Sequence, residues 1–336
     1  MTELDNFEEI VTNAESTFKT HNGDNESADE PVQNGVGEIQ ECSEAKSNNR
    51  RDVDLGIFPG ISNADYHHRH GISSSALKHM LACPAQYRAY ATGEVKFKTT
   101  AAMSLGTATH ALVLEPMDFD NQVCIIPKEY QGSSKAAKIK MADLQEDHHG
   151  KEFLKEQDFE IVQRMRDSVY ANSEAHNILS QSDNQIEMSG FYMDFDEETK
   201  VGTHMLCKYR PDLRTDFYLV DLKTTTDASK SGFTQSIGKF KYDLSAAHYL
   251  EGDRLTTGTD HNCFIFICVE SKPPFLTAVY RLDATGLEVG NYRRRKCLDL
   301  IKECRDSKEW PSYNNELIEP ISTPSYLNYQ MTEGTL

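Results

Sequence analysis

The segment Arg210-Pro-Asp-Leu-Arg-Thr-Asp-Phe-Tyr-Leu-Val-Asp-Leu-Lys223 combines an apolar run with regularly placed charges. The apolar run before Asp221 predicts a buried strand, and strand alternation places Asp221 and Lys223 on one face. Asp212 ends the preceding predicted strand, and the short loop 213–216 lets its carboxylate approach Asp221. An acid in a buried strand is costly without a partner, so the pattern indicates a site.

Two carboxylates that converge repel each other unless a cation lies between them. Mg²⁺ prefers oxygen ligands and fits such a pair. Lys223, on the same face as Asp221, could orient or deprotonate a water beside that cation, and its apolar neighbours would depress its pKa. A plain Asp221–Lys223 salt bridge at a sheet edge is the structural alternative, and the residues alone leave it open.

His110 lies in a segment, 101–115, that predicts an apolar helix ended by Pro116. The i, i+4 spacing places Gly106, His110 and Leu114 on one helical face. His110 is either a core histidine bonded to a backbone carbonyl or a third ligand beside Asp212 and Asp221.

The order of the predicted elements indicates an α/β fold with a mixed sheet covered by helices. Alternating patterns predict a three-strand antiparallel meander whose third strand is central and buried. The meander comprises 187–195, 203–212 and 217–223, and a later strand pair comprises 263–269 and 275–282. The predicted helices begin near Ser73 or Ser74 and after Pro84, and span 101–115, 128–160, 158–180, 230–255 and 284–304.

The 336 residues include 35 Lys and Arg against 53 Asp and Glu, for a net charge of −18. This excludes the domain-wide basic excess of many DNA-binding proteins, although a nuclease can keep its basic residues in a local patch. Residues 1–50 hold 12 acids and 3 bases without a sustained apolar period, which predicts disorder. We therefore expect a disordered acidic tail over 1–55, a folded domain over 56–318 and a C-terminal tail over 319–336.

No targeting or membrane segment is visible in the sequence. The N-terminus is acidic and lacks the apolar core of a secretory signal, and the longest apolar run, 264–269, is too short to span a bilayer. The eight cysteines form no CxxC pair and are expected to be reduced thiols. We expect a cytoplasmic protein.

Several motifs together resemble the nuclease domain of RecE-type phage and prophage exodeoxyribonucleases, in the PD-(D/E)xK superfamily. The likeness covers about residues 56–312 and implies a restriction-endonuclease-like mixed sheet flanked by helices. The matching motifs are Gly60-Ile-Ser-Asn-Ala-Asp-Tyr-His67, Gly71-Ile-Ser-Ser-Ser-Ala-Leu77, Leu105-Gly-Thr-Ala-Thr-His-Ala-Leu-Val-Leu-Glu-Pro116, Arg210-Pro-Asp212, Asp221-Leu-Lys-Thr-Thr225 and Lys308-Glu-Trp-Pro311.

The resemblance also implies a metal site and a catalytic lysine. The implied metal ligands are His110, Asp212, Asp221 and the backbone carbonyl of Leu222, and the implied catalytic residues are Lys223, Asp221 and Asp212. The metal would be Mg²⁺, with Mn²⁺ as a substitute. Glu115 and Glu187 fall on acidic positions in matching segments, without an assigned role.

The activity implied by the resemblance is Mg²⁺-dependent digestion of linear double-stranded DNA from its ends, in the 5′→3′ direction. The product would be a 3′ single strand for a single-strand annealing protein. The resemblance further implies a ring-shaped homo-oligomer in the cytoplasm of a bacterial host cell, with no membrane association.

One departure from similar nucleases raises an alternative. They carry a Gln, followed a turn later by a Tyr, on the helix after the D-x-K strand, whereas here that helix offers His248 or Tyr249 as polar substitutes. A catalytically weakened DNA-end-binding protein of the same fold is therefore the alternative. A nuclease with an iron–sulfur cluster would need four grouped cysteines, and the scattered cysteines argue against it.

Two segments are candidate contacts for DNA. Arg293-Arg-Arg-Lys296 is the densest basic cluster, and it could meet phosphates or form a solvated helix face. Ser73–Ser75 could bind a phosphate at a helix N-terminus or simply cap the helix.

Overall fold

The computed structural model describes residues 54–95, 99–196, 199–316 and 318–333. The predicted acidic tail, 1–55, lies almost wholly outside these residues, so its disorder remains a prediction. The described residues form ten strands: β1 (Gly56–Phe58), β2 (Val123–Ile126), β3 (Glu152–Lys155), β4 (Gln185–Ile186), β5 (Ser189–Asp196), β6 (Val201–Tyr209), β7 (Leu213–Arg214), β8 (Leu219–Thr225), β9 (Phe264–Glu270) and β10 (Thr277–Arg281).

The same residues form twelve α-helices. They are α1 (Asn63–His68), α2 (Ser74–Ala82), α3 (Pro84–Ala91), α4 (Ala101–Leu114), α5 (Phe119–Gln122), α6 (Lys135–Asp147), α7 (Glu156–Ala171), α8 (Ser173–Leu179), α9 (Lys230–Phe240), α10 (Tyr242–Thr257), α11 (Ala284–Ser307) and α12 (Ser325–Thr332). No helix in the described part of the chain is long and apolar enough to cross a lipid bilayer.

The strands form three sheets, and the predicted mixed sheet is the largest of them. Its order is β10-β9-β8-β7-β4, with β8 and β9 parallel and the other pairs antiparallel. A second sheet has the order β1-β5-β6, and β2 pairs in parallel with β3. Strand β8 is central and buried, as predicted, because it lies between β7 and β9.

The predicted three-strand meander is wrong in its third strand. Strands β5 and β6 pair antiparallel, but β8 lies in a different sheet. Pro211 follows β6 and has no backbone N–H to continue a ladder, and the carboxylate of Asp212 accepts the N–H of Leu222 instead. The chain therefore leaves β6 and reaches β8 through the two-residue strand β7.

Alternation along β8 and β9 divides the core between the two faces of the sheet. Val220, Leu222 and Ile267 pack with α4 and α7 on one face. On the other face, Leu219 and Phe266 pack with α9 and α10. Both faces of the sheet are thus covered by helices, as the element order predicts.

Helix α4 confirms the prediction for 101–115. The side chain of Thr100 caps its N-terminus by accepting the N–H of Met103 at 3.3 Å. A side-chain carbon added at Gly106 would lie 3.3 Å from the Thr224 hydroxyl, so the small residue permits close packing on β8. This packing brings the α4 side chains against the strand that carries Asp221.

The predicted helix near Ser73 is α2, and the Ser73 hydroxyl caps it by accepting the N–H of Ala76 at 3.3 Å. Capping therefore accounts for Ser73. Helix α2 packs through Leu77 and Met80 against Leu298 and Ile301 of α11.

Three predicted long helices are interrupted. The 230–255 segment forms α9 and α10, which are separated at Lys241 in a left-handed conformation (φ 57°). The 158–180 segment breaks at Asn172, which caps α8. Within 128–160 the helix α6 is followed by the short strand β3, whose parallel partner β2 is distant in sequence and therefore invisible to a local pattern.

Candidate metal centre

Three side chains that are distant in the sequence converge at the edge of the central strand. One ligand atom each of His110, Glu187 and Asp212 lies within 4.8 Å of the others. His110 comes from α4, Glu187 follows β4, and Asp212 lies between β6 and β7. The His110 Nδ1 atom is 3.4 Å from Asp212 Oδ2. The structure thus brings the predicted pair His110 and Asp212 together and adds Glu187.

Asp212 is held in place by the backbone of β8. Its Oδ2 atom accepts a hydrogen bond from the Leu222 N–H at 2.6 Å. Because the N–H and C=O of one strand residue point to the same edge, the Leu222 carbonyl also faces the edge on which Asp212 lies. The predicted metal-binding role of that carbonyl is compatible with this orientation and remains a prediction.

Glu187 adopts an uncommon backbone conformation. Its φ of 51° lies in the left-handed region, which non-glycine residues rarely occupy and which is concentrated at functional sites. The Glu187 N–H donates to the backbone carbonyl of Asp212 at 3.1 Å, and its carboxylate is 3.8 Å from Arg210 Nε. The only sequence signal for this residue was its acidic position in a matching segment.

Asp221 and Lys223 share a face of β8, as predicted, and form an ion pair at 2.7 Å. Asp221 is only 3% exposed, and the pair lies in the centre of the sheet rather than at its edge. Asp221 is outside the converging group of three ligands, and its carboxylate pairs with Lys223. The predicted role of Asp221 as a metal ligand therefore remains a prediction.

The expected depression of the Lys223 pKa is wrong in direction. Burial lowers it, but the carboxylates of Asp221 and Asp212 outweigh burial and raise the pKa above its ordinary value. Lys223 is thus a stable ammonium group in this structure. It can orient a water or a phosphate oxygen, but it is not poised to accept a proton.

The charged groups of this cluster shift one another's pKa values. Burial and the neighbouring Asp212 carboxylate raise the pKa of Glu187 to about 8. Burial would raise the pKa of Asp212, but His110, Lys223 and the Leu222 N–H lower it to about 2. Asp212 in turn raises the pKa of His110 against the effect of burial. Carboxylate oxygens and an imidazole nitrogen suit a divalent cation, and a cation bound there would favour the deprotonated form of Glu187.

The two candidate substitutes for the missing Gln lie in different environments. His248 is fully buried and is bonded to the Tyr192 hydroxyl and the Lys208 carbonyl, each at 3.1 Å. Burial lowers its pKa to about 3, so it is a neutral core histidine. Tyr249 faces the site: its hydroxyl lies 3.5 Å from Ser74 Oγ, and burial and the Asp221 carboxylate raise its pKa.

The arginines of the basic segment of α11 form ion pairs within the fold. Arg293 pairs with Asp243 at 2.6 Å, while Arg294 and Arg295 pair with the two oxygens of Asp194 at 2.7 and 2.8 Å. These contacts favour a structural role for the three arginines over the predicted contact with DNA phosphates. The converging metal-ligand group in the described residues contains no cysteine.

Two solved structures match this chain, and one of them shares its fold. A proposed exonuclease from Eubacterium rectale is similar with a TM-score of 0.54 and 14% sequence identity, over 79% of this chain and 97% of that chain. An alkaline exonuclease from Laribacter hongkongensis matches over 62% of this chain and 94% of that chain, with 13% identity and a TM-score of 0.23. At this identity the first similarity shows the fold alone, and the second is too weak structurally to support an argument. No curated protein matches this chain.

A family model described as a PDDEXK-like domain of unknown function (DUF3799) matches residues 73–321, well over half of the chain. The matched region contains His110, Glu187, Asp212, Asp221 and Lys223. The match confirms the resemblance to the PD-(D/E)xK nucleases that the motifs indicate. The chain belongs to this PDDEXK-like family.

Proposed function

We propose that this protein is a Mg²⁺-dependent exodeoxyribonuclease that degrades linear double-stranded DNA in the 5′→3′ direction. One observation carries the proposal. The ligand atoms of His110, Glu187 and Asp212 lie within 4.8 Å of one another, beside the buried Asp221–Lys223 pair. The exonuclease description of the structurally similar protein from Eubacterium rectale is consistent with a phosphodiester substrate.

His110, Glu187 and Asp212 would hold the metal, with Asp221 and the Leu222 carbonyl as further candidate ligands. Bound Mg²⁺, or Mn²⁺ in its place, would polarise the scissile phosphate and lower the pKa of a bound water. The Leu222 N–H fixes the orientation of Asp212, and the Asp212 carbonyl accepts the N–H of Glu187. These backbone contacts keep the two carboxylates in place before any cation binds.

Lys223 would act as a fixed hydrogen-bond donor and positive charge. Its ammonium is held 2.7 Å from Asp221 Oδ2 and lies 5.5 Å from the centre of the Tyr242 ring. A cation held in this way stabilises negative charge that develops on a phosphate during hydrolysis. Asp221 therefore also has a positioning role, because it orients the Lys223 ammonium.

The remaining parts of the proposal follow the resemblance to RecE-type exonucleases. The product would be a 3′ single strand that an annealing protein uses in recombination. The enzyme would form a ring-shaped homo-oligomer in the cytoplasm of a bacterial host cell. Its nuclease domain would span 56–318, between an acidic N-terminal tail and a C-terminal tail.

The test is a cleavage assay on end-labelled linear duplex DNA with Mg²⁺, compared with closed circular DNA and with EDTA. We expect digestion of the linear duplex only, with the 5′ label released first. Lys223→Ala should abolish digestion, whereas Lys138→Ala removes an exposed lysine of α6 and should not.

Two outcomes would contradict the proposal. Failure of the folded wild-type protein to digest the linear duplex would exclude the nuclease activity. Retention of DNA ends without cleavage in Mg²⁺ or Mn²⁺ would instead support the alternative, a DNA-end-binding protein of the same fold.

A further inference from the structure

Lys78 is a partly buried cation that has no carboxylate within ion-pair distance among the described residues. It lies on α2, and its ammonium is 5.4 Å from the centre of the Tyr242 ring. The Lys223 ammonium is 5.5 Å from the centre of the same ring. Two lysines from different elements thus both lie over the Tyr242 ring, next to the candidate metal centre.

The acids that act on Lys78 already form ion pairs with other cations. Asp221 is held by Lys223 at 2.7 Å, and Asp243 is held by Arg293 at 2.6 Å. Burial and the Lys223 ammonium lower the pKa of Lys78 to about 8, against the opposing effect of these two acids. A cation withdrawn from water and repelled by another cation gains most from an anionic ligand.

The face of α2 that carries Lys78 also lines the site. Ser74 precedes Lys78 by four residues, so both lie on one face of the helix. The Ser74 hydroxyl is 3.5 Å from the hydroxyl of Tyr249, whose pKa is raised in part by Asp221 and Asp212. This face of α2 therefore borders the metal centre on the side of Lys223.

We infer that Lys78 binds a phosphate of the DNA strand that is being cleaved, as a second cation beside Lys223. This inference rests on the proposed nuclease function and deepens it by assigning a substrate-binding residue. Lysine acts as a point charge toward phosphate oxygens, and here its position is limited by the contact with Tyr242. Its role is to hold the substrate, so its loss should weaken binding more than it slows turnover.

The test measures DNA binding by fluorescence anisotropy in EDTA, where cleavage does not proceed. The labelled duplexes carry one neutral methylphosphonate at each of the first linkages in turn. For the wild type, we expect one linkage at which neutralisation weakens binding by about tenfold, the effect of losing one charge-assisted hydrogen bond. In Lys78→Met, which keeps an apolar chain against Tyr242, binding should be weaker and that linkage should no longer differ from its neighbours.

Two further variants separate a phosphate contact from a general effect of charge or folding. Lys78→Arg should restore the sensitivity to the one linkage, and Lys138→Ala should behave as the wild type. In Mg²⁺ assays, Lys78→Met should raise KM more than it lowers kcat. A loss of stability alone would not change how binding depends on the position of the methylphosphonate.

The inference is overturned if wild type and Lys78→Met show the same methylphosphonate profile while the wild type digests linear DNA. In that case the nuclease proposal stands and Lys78 has only a structural role. If the wild type neither digests nor binds DNA, the proposed function fails and the inference fails with it.

Discussion

Two clusters of buried charge lie next to the strand pair β7–β8, and they differ in how their charges are balanced. In the first, which we call the Asp253 network, the Asp253 carboxylate is bonded to Arg214 at 2.7 Å, His261 at 2.8 Å and the Tyr209 hydroxyl at 3.1 Å. In the second, the candidate metal centre, a carboxylate oxygen of Glu187 lies within 4.8 Å of one of Asp212, close to the Asp221–Lys223 ion pair.

The difference separates a structural cluster from a functional one. Both carboxylate oxygens of Asp253 accept hydrogen bonds from buried side chains, and such a network stabilises one arrangement of its elements. In the metal centre, burial and the neighbouring Asp212 carboxylate raise the pKa of Glu187 to about 8. Strongly shifted carboxylates cluster at functional sites, which is why we propose cation binding for the second cluster and a role in stability for the first.

The largest expected effect is on catalysis, in Asp212→Asn. This change removes a charge that pairs with His110 and, in the proposed function, would hold the metal, so cleavage should fall by about 10³-fold or more, equivalent to about 4 kcal/mol of activation free energy. Initial rates on linear duplex measure it. Asp216→Asn, an exposed change four residues later, is the matched control. An unchanged rate in Asp212→Asn would show that the metal centre is misassigned.

The second effect is on stability, in Asp253→Ala. Removal of Asp253 leaves the Arg214 guanidinium buried without its partner, which costs about 3–5 kcal/mol. Urea unfolding should show this decrease in the free energy of unfolding. If the loss is below about 1 kcal/mol, the network is not the structural cluster that we describe.

The third prediction uses pH to sharpen the contrast, in Glu187→Gln without divalent cations. The folded-state pKa of Glu187 is raised from 4.5 to about 8, so the native protein keeps a proton that the unfolded chain releases. Wild-type stability should therefore fall as the pH rises from about 4.5 to about 8, and the variant should lack this part of the loss. We expect a difference of about 1–2 kcal/mol between the two pH profiles, reduced by the partial exposure of the group.

Unfolding of both proteins at pH 5.5 and pH 8.5 measures the difference. Divalent cations should stabilise the wild type more at the higher pH, because binding requires the deprotonated carboxylate. Parallel stability profiles for wild type and Glu187→Gln would contradict the account of charge repulsion at this residue.

The smallest effect is expected for Tyr209→Phe. The change removes one hydrogen bond to Asp253 while Arg214 and His261 remain, so the free energy of unfolding should fall by about 1 kcal/mol. Cleavage rates should be unchanged. A large loss of cleavage in this variant would mean that the Asp253 network also shapes the metal centre.

Much of the fold could be predicted from local patterns. The cap at Ser73, the helix ending before Pro116, and the shared face of Asp221 and Lys223 are confirmed by the structure. These features depend on residues within one or two turns of helix or a few positions of strand, so the period of the side chains is enough to reveal them.

The predictions were wrong where folding brings together segments that are distant in the sequence. The pairing of β8 with β9 instead of β6 depends on a parallel contact across two helices, α9 and α10. Arg293, Arg294 and Arg295 of α11 form ion pairs with Asp194 and Asp243, which are far away in the sequence. The direction of the Lys223 pKa shift was misjudged because Asp212 and Asp221 outweigh burial.

Local patterns in the chain were enough to identify side chains suited to chemistry: a histidine in an apolar helix, an aspartate after a proline, and an Asp–Lys pair on one strand face. Folding brings Glu187 to His110 and Asp212, pairs Asp221 with Lys223 and places Lys78 near Lys223, and no local pattern predicts these contacts in full. The physical reason is range: side-chain periodicity acts between neighbours in the chain, whereas the balance of buried charges depends on every group brought close by folding.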